Sequence, residues 1–100
     1  MNMQQMMAQA QKMQRELKKA MAELEAKEFV VSKGGAVTVT VYGSKKVKSV
    51  SVDDDAFDAD NKEMVEDMIA LAINEAIEQI DQEKDAIEER ITGQSGGFGF

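Results

Sequence analysis

Apolar side chains in the first quarter of the chain fall at Met3, Met6, Ala10, Met13, Leu17, Ala20 and Leu24, spaced alternately three and four residues apart. That is a heptad seam, and with no Gly or Pro in the segment it predicts a helix over residues 3–27. The period then shortens to two. FVVSK, AVTVTVY and KKVKSVSV are rich in β-branched residues and are separated by Gly34-Gly35 and Gly43-Ser44, which predicts an antiparallel meander over about 29–33, 36–42 and 46–52. Val37, Val39 and Val41 share one face of the middle strand and Thr38, Thr40 and Tyr42 the other, the pattern of a sheet covered on one side only. Val50 and Val52 keep this alternation but Val47 is out of phase, which predicts a bulge near Ser49.

An acidic connection, Asp53 to Asp60, leads to a second helix over about 61–91, with Asp60 and Glu63 at capping-box spacing and Asp60 as N-cap. MVEDMIALAINEAI is apolar around much of its girth, whereas beyond Ile77 only Ile80, Ile87 and Ile91 continue a narrow stripe, so burial is expected deep early and thin later. Gly93 ends the helix. The Gly/Ser-rich residues 93–100 read as a disordered tail carrying Phe98 and Phe100. The class is therefore α+β: one domain over residues 1–92, built as long helix, three-stranded sheet and long helix. At about 1.5 Å per residue the helices run roughly 37 and 46 Å, while a seven-residue strand covers about 23 Å, so both helices overhang the sheet. Their unburied seams, and a long edge strand, predict a homodimer with projecting helical arms.

Composition narrows the chemistry. The chain has 100 residues with no His, Cys or Trp, which removes imidazole bases, thiolate nucleophiles, disulfides and most zinc, haem or iron-sulfur ligand sets. The expectation is a protein that is not an enzyme, with no cofactor and no small-molecule substrate. The start MNMQQMMAQAQKMQ lacks the basic and apolar regions of a secretory signal, and the longest apolar run, Met68 to Ile73, is far short of the roughly 20 residues that cross a bilayer. A cytoplasmic protein that does not span a membrane is expected.

Net charge is −7, but it is sorted along the chain. Residues 1–52 carry nine Lys and Arg against four Glu, a net +5, and residues 53–100 carry three against fifteen acids, a net −12. A basic face and an acidic face can share one fold. Three patterns reduce to ordinary surface chemistry. Asp53, Asp54, Asp55, Asp58 and Asp60 fail the EF-hand template, which needs Gly and Glu where Asp58 and Met64 stand, and they suit a helix approach instead. Gly34, Gly35 and Gly43 lead into no phosphate-binding helix and read as hairpin glycines. Glu75 and Glu78 read as a solvated face.

Lys12, Arg15, Lys18 and Lys19, three of them nearly opposite the seam, form a row that can neutralise phosphates along a duplex, although many Lys-rich helix faces are only solvated surface. Lys33, Lys45, Lys46 and Lys48 add cations around the sheet. Phe29, Tyr42 and Phe57 are too sparse for a base-stacking platform, which favours a duplex backbone over single strands.

MAQAQKMQREL (7–17), GGAVTVTVYG (34–43) and NKEMVEDMIALAINEAI (61–77), in that order and spacing, resemble the YbaB/EbfC family of bacterial nucleoid-associated proteins across roughly residues 3–91. Val52-Asp53-Asp54 stands where the family commonly has Ile-Asp-Pro, and Gly96-Gly97 replaces a Pro-Gly. The resemblance implies a helix, sheet, helix protomer, a homodimer joined largely through its sheets, and binding to double-stranded DNA in the nucleoid. It places that role on Lys12, Arg15, Lys18 and Lys19, with Lys45, Lys46 and Lys48 as secondary candidates. The competing expectation is a protein-interaction adaptor that docks a partner through the acidic second helix and the apolar arm tips.

Overall fold

The computed structural model describes residues 2–93. Helix α1 (Met3–Ala26) runs directly into β1 (Glu28–Lys33), followed by β2 (Val37–Tyr42) and β3 (Val47–Val52), two 3-10 turns at 54–56 and 59–61, and α2 (Lys62–Thr92). The sheet is antiparallel in the order β1-β2-β3. The expected disordered tail, apart from Gly93, lies outside the described residues.

Each helix start has a local cause. The Asn2 side chain accepts the Gln5 amide at 2.8 Å while the Gln5 side chain accepts the Asn2 amide at 3.4 Å, a capping box for α1 that the apolar spacing does not reveal. At α2 the expected cap moves. Asp58, not Asp60, is the capping side chain: its Oδ1 accepts the Asp60 amide at 2.8 Å, which winds residues 59–61 into a 3-10 turn before the helix begins at Lys62. Asn61 then occupies the N-cap position without capping and donates its side-chain amide to the Ala56 carbonyl.

Register fixes the faces of the sheet. Phe29 pairs with Val41, Val31 with Val39, and Val39 with Val50, so these side chains share one face. The ladder between β2 and β3 steps from Thr40–Ser49 to Val41–Val47, leaving Lys48 as the extra residue, and this bulge returns Val47 to the valine face. Helix α2 covers that face over β1 and β2 but scarcely touches β3, so Val47 and Val50 stay exposed while Val37, Val39 and Val41 are buried. The opposite face carries Thr38, Thr40 and Tyr42, with Ser32 and Thr38 hydroxyls 2.9 Å apart. Truncating Val39, 0% exposed, leaves a cavity, so Val39→Ala should cost on the order of 1–3 kcal/mol in denaturant unfolding and Thr40→Ala well under about 1. Equal losses at both sites would refute the face assignment.

Burial along α2 is deep in the first half at Ala72 and Ala76, although Leu71 and Met64 there are exposed, and it is not thin later, since Ile80 and Ile87 in the second half are buried. The cause is α1, which packs on α2 rather than on the sheet: Ala20 and Leu24 share a cleft with Glu83, Ile87 and Arg90. The narrow isoleucine stripe suits a narrow helix-helix seam. The molecule extends 69 × 21 × 16 Å, with the N-terminal half of α1 beyond the reach of the sheet.

Candidate nucleic-acid interface

The row of cations on α1 arises from two superposed periods. Residues 12, 15 and 19 fall within about 60° on the helical wheel and lie nearly opposite the seam of Met13, Leu17, Ala20 and Leu24. The structure buries Ala20 and Leu24, half-buries Met13 and Leu17, and leaves Lys12, Arg15, Lys18 and Lys19 exposed. From Lys12 to Lys19 the row is about 10 Å long, close to three base-pair steps along a duplex.

Electrostatically the four are available. Lys12 approaches Glu16 at 4.0 Å, an exposed pair at the limit of contact and worth little. Arg15, Lys18 and Lys19 make no ion pair among the described residues.

The sheet lysines are placed differently. Lys45 Nζ lies 2.8 Å from Asp81 on α2, and Lys48 Nζ lies 2.8 Å from Glu28 across the sheet and 5.8 Å from the centre of the Tyr42 ring. The hydrogen bond from Lys48 to the Glu28 carboxylate, reinforced by that negative charge, raises the pKa of the Lys48 ammonium above its ordinary value. Lys33 pairs with Glu75 at 2.7 Å, and Lys27 pairs with Glu83 at 2.8 Å. Lys46, exposed in the turn, makes no ion pair among the described residues. Thus α1 groups its cations on one open face, while Lys45 and Lys48 sit in intramolecular pairs. The pairing acids are residues that sequence reading treated as solvated or left unmentioned. The opposite net charges of the two halves of the chain agree with the pairs to Glu75, Asp81 and Glu83, whereas Glu28 lies in the same half as Lys48.

Among the described residues no cluster of three or more carboxylates converges as a metal site. Asp53 instead accepts the Asp55 amide at 2.8 Å and caps the first 3-10 turn.

Known proteins resemble this chain in sequence and fold. A nucleoid-associated protein of Clostridium novyi is 44% identical over 94 residues, covering 93% of this chain and 82% of its own. One from Agathobacter rectalis is 45% identical over 97 residues, covering 96% and 86%. The crystal structure of an uncharacterised Helicobacter pylori protein superposes with a TM-score of 0.73 at 18% identity, over 90% of this chain and 96% of that one, a likeness of fold. The model of the YbaB/EbfC DNA-binding family matches residues 1–95, every element just described, and the chain therefore belongs to the YbaB/EbfC DNA-binding family.

Proposed function

We propose that this protein binds double-stranded DNA as a homodimer, mainly through phosphate contacts from the exposed face of α1, and that it organises the nucleoid and influences gene expression from the cytoplasm. The reading assigns it no catalysis and no cofactor. The observation that carries it is the contrast between Lys12, Arg15, Lys18 and Lys19, open on a projecting helix, and Lys45 and Lys48, held by Asp81 and Glu28. The family's description as DNA-binding and the nucleoid-associated relatives support the same partner and location.

A second copy suits the apolar surface that one chain leaves open. Val47 and Val50 on β3 and Leu71 and Met64 on α2 are exposed large apolar side chains, and β3 is a free edge. Sedimentation equilibrium at micromolar concentration should give about twice the 11.0 kDa chain mass. A folded 11.0 kDa species would remove the dimer from the reading.

The direct test is an electrophoretic shift in low salt with unlabelled duplex and single-stranded competitors. Retention that duplex DNA competes away and single strands do not is the expected result. Absence of any shift would transfer the reading to the adaptor class.

A further inference from the structure

The two ends of the 69 Å molecule carry opposite charge, and each leaves large apolar side chains in water. The cleft shared by Ala20, Leu24, Glu83 and Ile87 sets α1 and α2 antiparallel, so the end of α2 is level with about Met13. From there α1 continues about 15 Å to Met3, while α2 runs about 45 Å the other way to Lys62. The tip of α1 and the start of α2 are thus about 60 Å apart, and one chain cannot fold them onto each other.

At the α2 end Phe57 is 84% exposed, between two 3-10 turns that fix its backbone. Asp53 and Asp58 each close one turn by accepting the amide two residues on, at 2.8 Å, and the Phe57 amide donates to the Asp54 carbonyl at 3.2 Å. The ring borders an open groove whose apolar wall is Ala56, Ala59 and Val65, with Asp58 and Glu66 at its rim. Residues 53–67 hold eight carboxylates against the single cation Lys62. The carboxylates alone mark no site; the apolar wall beside a rigidly held, exposed ring does, and the charge around it selects a cationic occupant.

The α1 end has the matching chemistry. Met3 and Met7 are 77% and 57% exposed. On the helical wheel they share one flank with the exposed Arg15 and Lys18, the four falling within about 120° and about 22 Å of helix. From Met3 to Lys19 there are four cations against one acid, Glu16.

We propose that the groove beside Phe57 takes the α1 arm of a second copy, with Met7 against the Phe57 ring and Arg15 and Lys18 against the surrounding carboxylates. Thioether and aromatic ring are favourable partners, and methionine adapts to an irregular neighbour. Because the two surfaces differ and lie at opposite ends of the chain, the contact is heterologous and repeats from copy to copy into an open row. It is separate from the exposed valines of β3, and it stands whether the repeating unit is one chain or two. The same cations cannot hold duplex phosphates and a neighbour's carboxylates at once, so the test omits DNA and its outcome does not depend on the DNA reading.

Sedimentation velocity on the full chain should show species of more than two chains that grow with protein concentration at low salt, roughly 50 mM, and dissolve at roughly 500 mM, where the charges are screened. Phe57→Ser, and separately Arg15→Glu with Lys18→Glu, should each abolish these species and leave the high-salt mass and the circular-dichroism spectrum unchanged, since all three side chains are exposed. Mixing the two variant proteins should restore the larger species, because each supplies the surface that the other lacks. A wild type with the same mass at both salt concentrations overturns the proposal and leaves the groove to a different partner, and a mixture that restores nothing overturns it as well. If Phe57→Ser instead halves the high-salt mass, the ring belongs to a symmetric two-copy interface and the end-to-end contact is wrong. The high-salt mass of the wild type reports the dimer on its own, so failure of the dimer and failure of this contact are read separately.

Discussion

Gly43→Ala should destabilise the fold by on the order of 3–5 kcal/mol, a large part of the roughly 5–15 kcal/mol that holds a domain together. A Cβ at this position would lie 1.8 Å from the Leu24 carbonyl oxygen and 2.6 Å from its carbon, both backbone atoms with no rotamer to yield. The approach is close because α1 enters β1 with only Lys27 between them, in extended conformation at φ −72° and ψ 142°. Carbonyls at the end of α1 and at its C-cap then find partners on the turn after β2: the Ser44 amide donates to Glu25 at 3.3 Å and the Gly43 amide to Lys27 at 2.8 Å. An added methyl must break these bonds or move the helix. Thermal unfolding should therefore fall by more than about 12 °C. Gly35→Ala supplies the contrast, because its Cβ would meet nothing within 4 Å and only the left-handed φ of +65° is strained, a cost of about 1–2 kcal/mol. Gly43 itself has no left-handed φ, so equal losses at the two glycines would show that the backbone of α1 yields to the added methyl and that the approach to Leu24 is not rigid.

That result also marks where the sequence was readable and where it was not. A strict seam along α1 and alternation along β2 each repeat over many residues, so one misfit cannot hide them, and both faces are where the periods place them. The bulge was legible because Val47 broke a local rule that Val50 and Val52 kept. Gly43 was readable only as a turn residue. The positive φ in that turn belongs to Lys45, at 74°, and Gly43 is needed because of Leu24, a contact between residues nineteen positions apart that no local pattern carries. The same limit applies to Lys45 and Lys48. Their partners, Asp81 and Glu28, become neighbours only when α2 crosses the sheet and β1 flanks β2, so their charge was visible and their engagement was not. The exposure of Leu71 and Met64 on α2 has a similar origin, since the pattern shows that they are apolar but not that a second surface is required to bury them.

Salt should control binding to DNA more strongly than sequence does. Four cations from each of two protomers give about eight phosphate contacts, so affinity should fall by roughly 10³ to 10⁵ between 50 and 200 mM salt as the displaced counterions lose their entropic advantage. Replacing Lys12, Arg15 and Lys19 together by Gln removes six of those contacts and should reduce the slope of log affinity against log salt from about −7 to about −2. These side chains are exposed, and among the described residues Lys12 alone of the three has an ion pair, the distant one with Glu16, so the variant should keep its assembly mass and its unfolding midpoint. Lys45→Gln and Lys48→Gln should change the slope little, because Asp81 and Glu28 already neutralise those ammonium groups. The acidic residues of α2 repel the duplex and lower affinity at every salt concentration, yet they displace no counterions from it, so the slope still counts the α1 contacts. No element inserts into a groove in this reading, and scrambling the DNA sequence should alter affinity only through shape and deformability. A slope unchanged by the triple substitution would remove α1 from the interface, whereas a slope lost on substituting Lys45 and Lys48 would move the interface to the sheet.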